Sequence, residues 1–199
     1  DQEQPEPITD KLINKGTALW LRSKKDITDT QYKEFYEHNV GFGTPMAWTH
    51  NRVEGKLDYT LLLFVPENAP FDLYQRENKS GIKLYVQRVF IMDDARQFLP
   101  TYLRFMRGVI DCADLPLNVS RELLQNNAKV DAIRSACTKK VLGLMEDMST
   151  KHPEKYQSFW HEYGQALKEG SGEDFSNKER LSGLYRFSST HTDDEKQTV

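Results

Sequence analysis

Arg121 and Gln125 are the residues whose setting best suits chemistry on a phosphate. They lie in the stretch Leu115-Pro116-Leu117-Asn118-Val119-Ser120-Arg121-Glu122-Leu123-Leu124-Gln125-Asn126-Asn127, which reads as a loop delivering an arginine to the start of a helix. Pro116 stiffens the approach, and Asn118 can bond its own backbone in a turn. Ser120 suits the N-cap, where its hydroxyl accepts a hydrogen bond from a backbone N–H one turn later. The spacing of four predicts that Arg121 and Gln125 share a helical face. A guanidinium fixed there can stabilise the charge that builds on a transferring phosphoryl group, and a glutamine beside it can bond a phosphate or its water. The plainer alternative is that Arg121 pairs with Glu122 or another nearby acid and only holds the loop.

Other chemistry is poorly supported. No GxxxxGK[ST] sequence is present, and no Gly-rich loop follows a strand, so the chain carries no phosphate cradle of its own. His38, His50, His152, His161 and His191 form neither HExxH nor a Cys/His cluster, and each reads as a surface or helix-end residue. No metal site is expected. Ser120 has no GxSxG context. Asp93-Asp94 reads as an acidic pair at a helix N-terminus, favoured by the macrodipole, rather than a metal pair. Phe42, in a Gly-rich loop, and Trp48, just after it, are aromatics that periodicity does not explain. Exposed aromatics in such places can bind partly unfolded polypeptides.

Around these residues the chain alternates strands and helices. Thr28 and Gln31 form a capping box ahead of a stripe of Tyr32, Phe35 and Tyr36. Gly41 to Pro45 reads as a loop. Residues 48–53 and 57–65 read as a hairpin turned at Glu54-Gly55-Lys56. Its second strand is continuously apolar from Leu61, as expected for a strand covered on both faces. Ile82, Leu84 and Val86 alternate with Tyr85, Gln87 and Val89 in a further strand. Pro100 reads as the first residue of a helix carrying Leu103 and Met106, and 108–110 as a short strand leading into the arginine loop.

Beyond residue 128 the period becomes helical. Val130, Ile133, Cys137, Val141, Leu144, Met145 and Met148 make one stripe; Tyr156, Phe159, Trp160, Tyr163 and Leu167 make a second, behind Pro153. Gly170 and Gly172 read as its stop. Ser176 and Glu179 read as a capping box before Leu181, Leu184 and Tyr185. The expected organisation is a linker over 1–12, an α/β core with the arginine loop over 13–127, a helical module over 128–191 and a linker over 192–199.

The 199 residues, 38% hydrophobic and 29% charged, can build a real core. A formal net charge of −3 argues against binding driven by phosphate neutralisation of nucleic acid. Two cysteines, Cys112 and Cys137, suggest neither a disulfide framework nor a metal cluster. The longest apolar run, 61–65, is far too short to span a bilayer, and no signal peptide is visible. The chain starts at Asp1 without methionine, which reads as a piece excised from a longer protein.

The words LPLNVSRE, KLYVQRVFIMDDA, HNRVEGK and RFSSTHTD resemble the middle segment of the ninety-kilodalton heat-shock chaperones, over nearly the whole chain from about Ile13. The resemblance implies an α/β fold: a layered sheet-and-helix domain like the second domain of ribosomal protein S5, then a short helical module. It implies a cytoplasmic, homodimeric ATPase that remodels client polypeptides, with ATP and magnesium bound in the preceding nucleotide-binding domain. The dimer-forming region would lie downstream, and this segment alone would neither bind nor hydrolyse ATP. By the same resemblance Arg121 reaches the terminal phosphate, Gln125 assists it, and Asn118 and Ser120 support the loop. Phe42 and Phe71 align with aromatics implicated in client contact, and Phe90 with a patch that meets the nucleotide-binding domain. The other readings are a non-catalytic scaffold for unfolded clients and the corresponding domain of a DNA-topology or repair ATPase.

Overall fold

A strand that is apolar at every position can be satisfied only between two layers, and the chain supplies both. The computed structural model describes residues 18–75, 80–125 and 127–187. The expected linkers and His191 lie outside the described residues. After two short 3-10 turns, helix α1 (Asp29–Asn39) begins at Thr28, and the Thr28–Gln31 capping box forms as expected. Strands β1 (Pro45–Val53) and β2 (Tyr59–Pro66) pair antiparallel as the expected hairpin, with Pro45 opening β1 rather than closing the loop. Strands β3 (Ile82–Val86), β4 (Val89–Met92) and β5 (Arg107–Cys112) complete a five-stranded sheet of order β1-β2-β5-β3-β4. All neighbours are antiparallel except β3 and β5.

The side-chain period of two sorts this sheet. Leu61, Leu63 and Val65 of β2 join Ile82, Leu84, Val86, Ile110 and Cys112 in the larger core. Leu62, Phe64 and Val109 face the other way, onto Trp20, Ile27, Tyr32 and Tyr36. The larger core is closed by α3 (Ala128–Lys151), α4 (Pro153–Glu173) and α5 (Lys178–Leu184). Stretches 13–127 and 128–191, proposed as two units, thus contribute described residues to one continuous core. The expected stripes supply it, although Leu144 and Trp160 are only partly buried. Cys112 and Cys137 are both free and buried.

Several local expectations are corrected. Pro100 caps a 3-10 turn, Thr101–Leu103, instead of starting an α-helix, and Glu173 accepts from the backbone N–H groups of Thr101 and Tyr102. Gly170 and Gly172 lie inside α4; a β-carbon at Gly170 would sit 3.0 Å from both Tyr102 and Leu181, so close packing rather than helix termination explains that glycine. Ser176 does not cap α5. Asp174 caps the preceding 3-10 turn through Asn177 N–H, and Asn177 is the N-cap of α5.

The single strand expected through Val89 is a hairpin. Gln87 and Arg88 both take positive φ, 50° and 69°, between Val86 and Val89. That is the type I′ pattern, which Asn-Gly fills most easily and which costs ordinary residues strain. The double substitution Gln87→Asn/Arg88→Gly is expected to stabilise the protein by about 1 kcal/mol, raising Tm by about 3 °C in a thermal melt. The bond from Arg88 N–H to Asp111 survives it, because it uses backbone.

His50 is likewise not a surface residue. It is buried in β1, its Nε2–H donates to the Trp20 carbonyl at 2.8 Å, and Nδ1 accepts from the Tyr32 hydroxyl at 2.7 Å. Burial depresses its pKa below the ordinary 6.5, against a smaller opposing effect of the Trp20 bond. A neutral ring in the fold and a protonatable one in the unfolded chain make stability pH-dependent. The contribution is complete above pH 6.5 and is lost as pH falls from there toward the depressed folded value. Tm should therefore drop between pH 7.5 and 5.5, and His50→Gln should flatten that part of the curve.

Candidate active site

Leu115, Val119 and Leu124 insert into the core and pin the arginine loop, while Leu117 and Leu123 between them stay exposed. The base of the loop is fixed by Asp58 N–H donating to Asp114 at 2.6 Å and by Lys129 Nζ donating to the Asp114 carbonyl at 2.9 Å. Asn118 lies exposed in a turn closed by Val119 N–H to Pro116 O. Ser120 is the N-cap, accepting from Leu123 N–H at 3.4 Å.

The helix that follows is a single turn, α2 (Arg121–Leu124). Gln125 is already extended, with φ −74° and ψ 138°, so it does not share a helical face with Arg121. The reason lies just beyond it. Asn127 starts α3 by accepting from Lys129 N–H through its own side chain, and the backbone must leave α2 to reach that cap. Arg121 and Gln125 are both exposed, at the two ends of this single turn.

Arg121 is half exposed, and its Nη2 lies 3.1 Å from Asp94 Oδ2. The acid is not Glu122, whose carboxyl is drawn below its ordinary range mainly by the Ser120 hydroxyl, with Arg121 the smallest contributor. Asp94 is 2% exposed and also receives Arg96 Nη2 at 2.6 Å and Ser80 N–H at 2.8 Å. Burial opposes ionisation of Asp94, yet the bonds from Arg96 and Ser80 and the charges of both arginines outweigh it and hold the pKa below 3.8. Asp93-Asp94 therefore does not sit in a helix N-terminus; a 3-10 turn, Arg96–Phe98, begins later, behind Ala95. Among the described residues no group of three His, Cys, Asp or Glu side chains could hold a metal. Ser80 and Arg96 also line a cleft of about 490 Å³.

The aromatic candidates separate. Phe42 and Phe71 are almost fully exposed at loop tips, and Phe90 on β4 is half exposed against Tyr85. Trp48 packs on the sheet, 5.4 Å from the Tyr32 ring and 6.4 Å from Phe64. Asp94, the partner of Arg121, carried no signal that spacing alone could decode, because the pair joins distant parts of the chain.

The fold defines a class, the middle domain of a heat shock protein. The structure superimposes on the middle domain of a heat shock protein from Plasmodium falciparum with TM-score 0.82 and 27% identity, covering 92% of this chain and 71% of that one. The family model described as Hsp90 protein matches residues 2–199, and the chain belongs to that family. It is 58% identical over 200 residues to the chaperone protein HtpG of Dechloromonas aromatica, covering 100% of this chain and 31% of that protein. It is 61% identical over 188 residues to the HtpG of Colwellia psychrerythraea, covering 94% and 29% respectively. The chain thus spans about three tenths of the length of the curated relatives it matches. Among the described residues no helix is long and apolar enough to cross a membrane.

Proposed function

We propose that this chain is the middle segment of a cytoplasmic, homodimeric, ATP-dependent chaperone of the HtpG type. The observation that carries the reading is a half-exposed guanidinium on a loop that Leu115, Val119 and Leu124 pin to the core. Such a group is presented outward on a rigid base, which suits a phosphate brought to it by another domain. The nucleotide and its magnesium are held by the preceding domain, consistent with the lack of a phosphate loop here, and the segment alone neither binds nor hydrolyses ATP.

Closure of the nucleotide-binding domain onto this segment brings the phosphates to Arg121. The guanidinium then faces the equatorial oxygens on which charge accumulates as the terminal bond loosens, and stabilises them more than it stabilises bound ATP. Gln125, on the same turn, bonds a phosphate oxygen or the attacking water. Asn118 and Ser120 shape the loop and act through Arg121. Phe90 belongs to the surface that meets the nucleotide-binding domain. ATP thereby biases an equilibrium between open and closed states. Exposed Phe42 and Phe71 suit contact with apolar stretches of client polypeptides; Trp48, partly buried on the sheet, offers them less surface.

The Arg121–Asp94 ion pair favours a second reading, a scaffold for clients in which Arg121 is structural. The two are separated by mixing this chain with its upstream nucleotide-binding domain and following ATP turnover. Stimulation by the chain that disappears with Arg121→Ala supports the catalytic reading; equal stimulation by both leaves the scaffold.

A further inference from the structure

Arg121 and Arg96 bind the same carboxylate oxygen, Asp94 Oδ2, at 3.1 and 2.6 Å. The other oxygen accepts from Ser80 N–H. Asp94 is 2% exposed, whereas each arginine side chain is 51% exposed. One buried anion therefore has two cations, and the nearer one is fixed two residues away on the same short segment. The farther one rides on the arginine loop.

This asymmetry has an energetic meaning. Stripping a buried carboxylate of its only cation is strongly unfavourable, because the remaining charge is neither solvated nor paired. If Asp94 had Arg121 alone, moving Arg121 to a phosphate would incur that penalty. With Arg96 and Ser80 N–H in place, Asp94 stays compensated after Arg121 leaves. We propose that Asp94 is a positioning residue that parks Arg121, and that Arg96 is the standing counter-ion that lets Arg121 exchange a carboxylate for a phosphate. The inference rests on the catalytic reading of Arg121 and adds the control of its release. Arg96 itself touches no nucleotide in this account; it acts on turnover only through Asp94.

The test is made in the full-length protein. Arg96→Ala makes Arg121 the sole counter-ion of Asp94, and kcat should fall about tenfold, equivalent to about 1.4 kcal/mol, with ATP affinity unchanged. Arg96→Lys keeps a cation beside Asp94 and should retain most of kcat. Adding Asp94→Asn to Arg96→Ala removes the charge that traps Arg121 and should restore turnover. A kcat for Arg96→Ala within twofold of the parent, or no recovery on adding Asp94→Asn, overturns the proposal. Should Asp94→Asn fail to fold, the contrast between Arg96→Ala and Arg96→Lys decides, and equal losses in the two overturn it.

A thermal double-mutant cycle reads the shared carboxylate directly. Arg96→Ala and Arg121→Ala should each cost about 2 °C in Tm, and together about 10 °C, because only the double variant leaves Asp94 without a cation. Additive shifts overturn the proposal. Unchanged turnover in Arg121→Ala overturns both this inference and the catalytic reading; lost turnover in Arg121→Ala beside full turnover in Arg96→Ala overturns this inference alone.

Discussion

In the full-length protein, Arg121→Ala should lower ATP turnover by about 10- to 100-fold while ATP still binds, and Arg121→Lys should restore little of it. On the proposed reading, the guanidinium presents a planar fork of donors to two phosphate oxygens at once. A lysine ammonium offers one point charge on a shorter reach, and it is more strongly hydrated. An arginine that completes a phosphoryl-transfer site in other enzymes is worth more than this range, about 10³–10⁵ in rate. The smaller effect is expected under the proposed function, in which domain closure limits turnover and part of the chemical loss stays hidden beneath that slower step. Single-turnover kinetics would expose the hidden part, and calorimetric titration of ATP would show unchanged affinity. Full turnover in either variant would leave Arg121 as a structural partner of Asp94.

Gly108→Ala should be among the most destabilising single changes in the chain. Gly108 lies in β5, between β2 and β3, at φ 147°, a conformation that L side chains rarely adopt. A β-carbon there would stand 2.1 Å from the Leu62 carbonyl oxygen and 3.0 Å from the Leu63 α-carbon. Those atoms are backbone of the most deeply buried strand, so no side chain can turn aside. Relief would require β2 and β5 to separate, breaking the ladder at the centre of both cores. A loss of about 4 kcal/mol, or a Tm fall of roughly 10 °C, is expected. Gly172→Ala is the control: a β-carbon there meets nothing within 4 Å, and alanine favours helix over glycine. A Gly108→Ala protein melting with the parent would refute the packing account.

Much of the architecture was legible because it is written in short periods. The run at 61–65 announced a doubly covered strand, and the helical stripes beyond residue 128 announced faces that meet the sheet. The Thr28–Gln31 box announced the start of α1. What escaped was set by contacts between distant segments or by unusual backbone. Alternation continues across Gln87-Arg88, so β4 looked like more of β3; only the positive φ angles, at residues that do not advertise them, make the reversal. His50 looked like any polar residue in a strand until Trp20 and Tyr32 arrived to satisfy both ring nitrogens. In the candidate site the arginine, its cap and its loop were readable from one contiguous stretch. The helical register of Gln125 was not, because the next cap outcompetes it, and Asp94 was not, because an ion pair between separate segments leaves no local pattern.

Strand β4 has one further consequence. It forms an edge of the sheet and carries the half-exposed Val89 and Phe90, a combination that ordinarily invites a foreign strand to zip alongside. Here the edge is four residues long, and its pairing with β3 slips between Leu84 and Tyr85. So brief and irregular a margin gives an incoming chain few amides to template on. The protein can therefore display apolar side chains on this edge without offering the ladder that would seed aggregation, a useful property for a molecule whose proposed companions are themselves prone to aggregate.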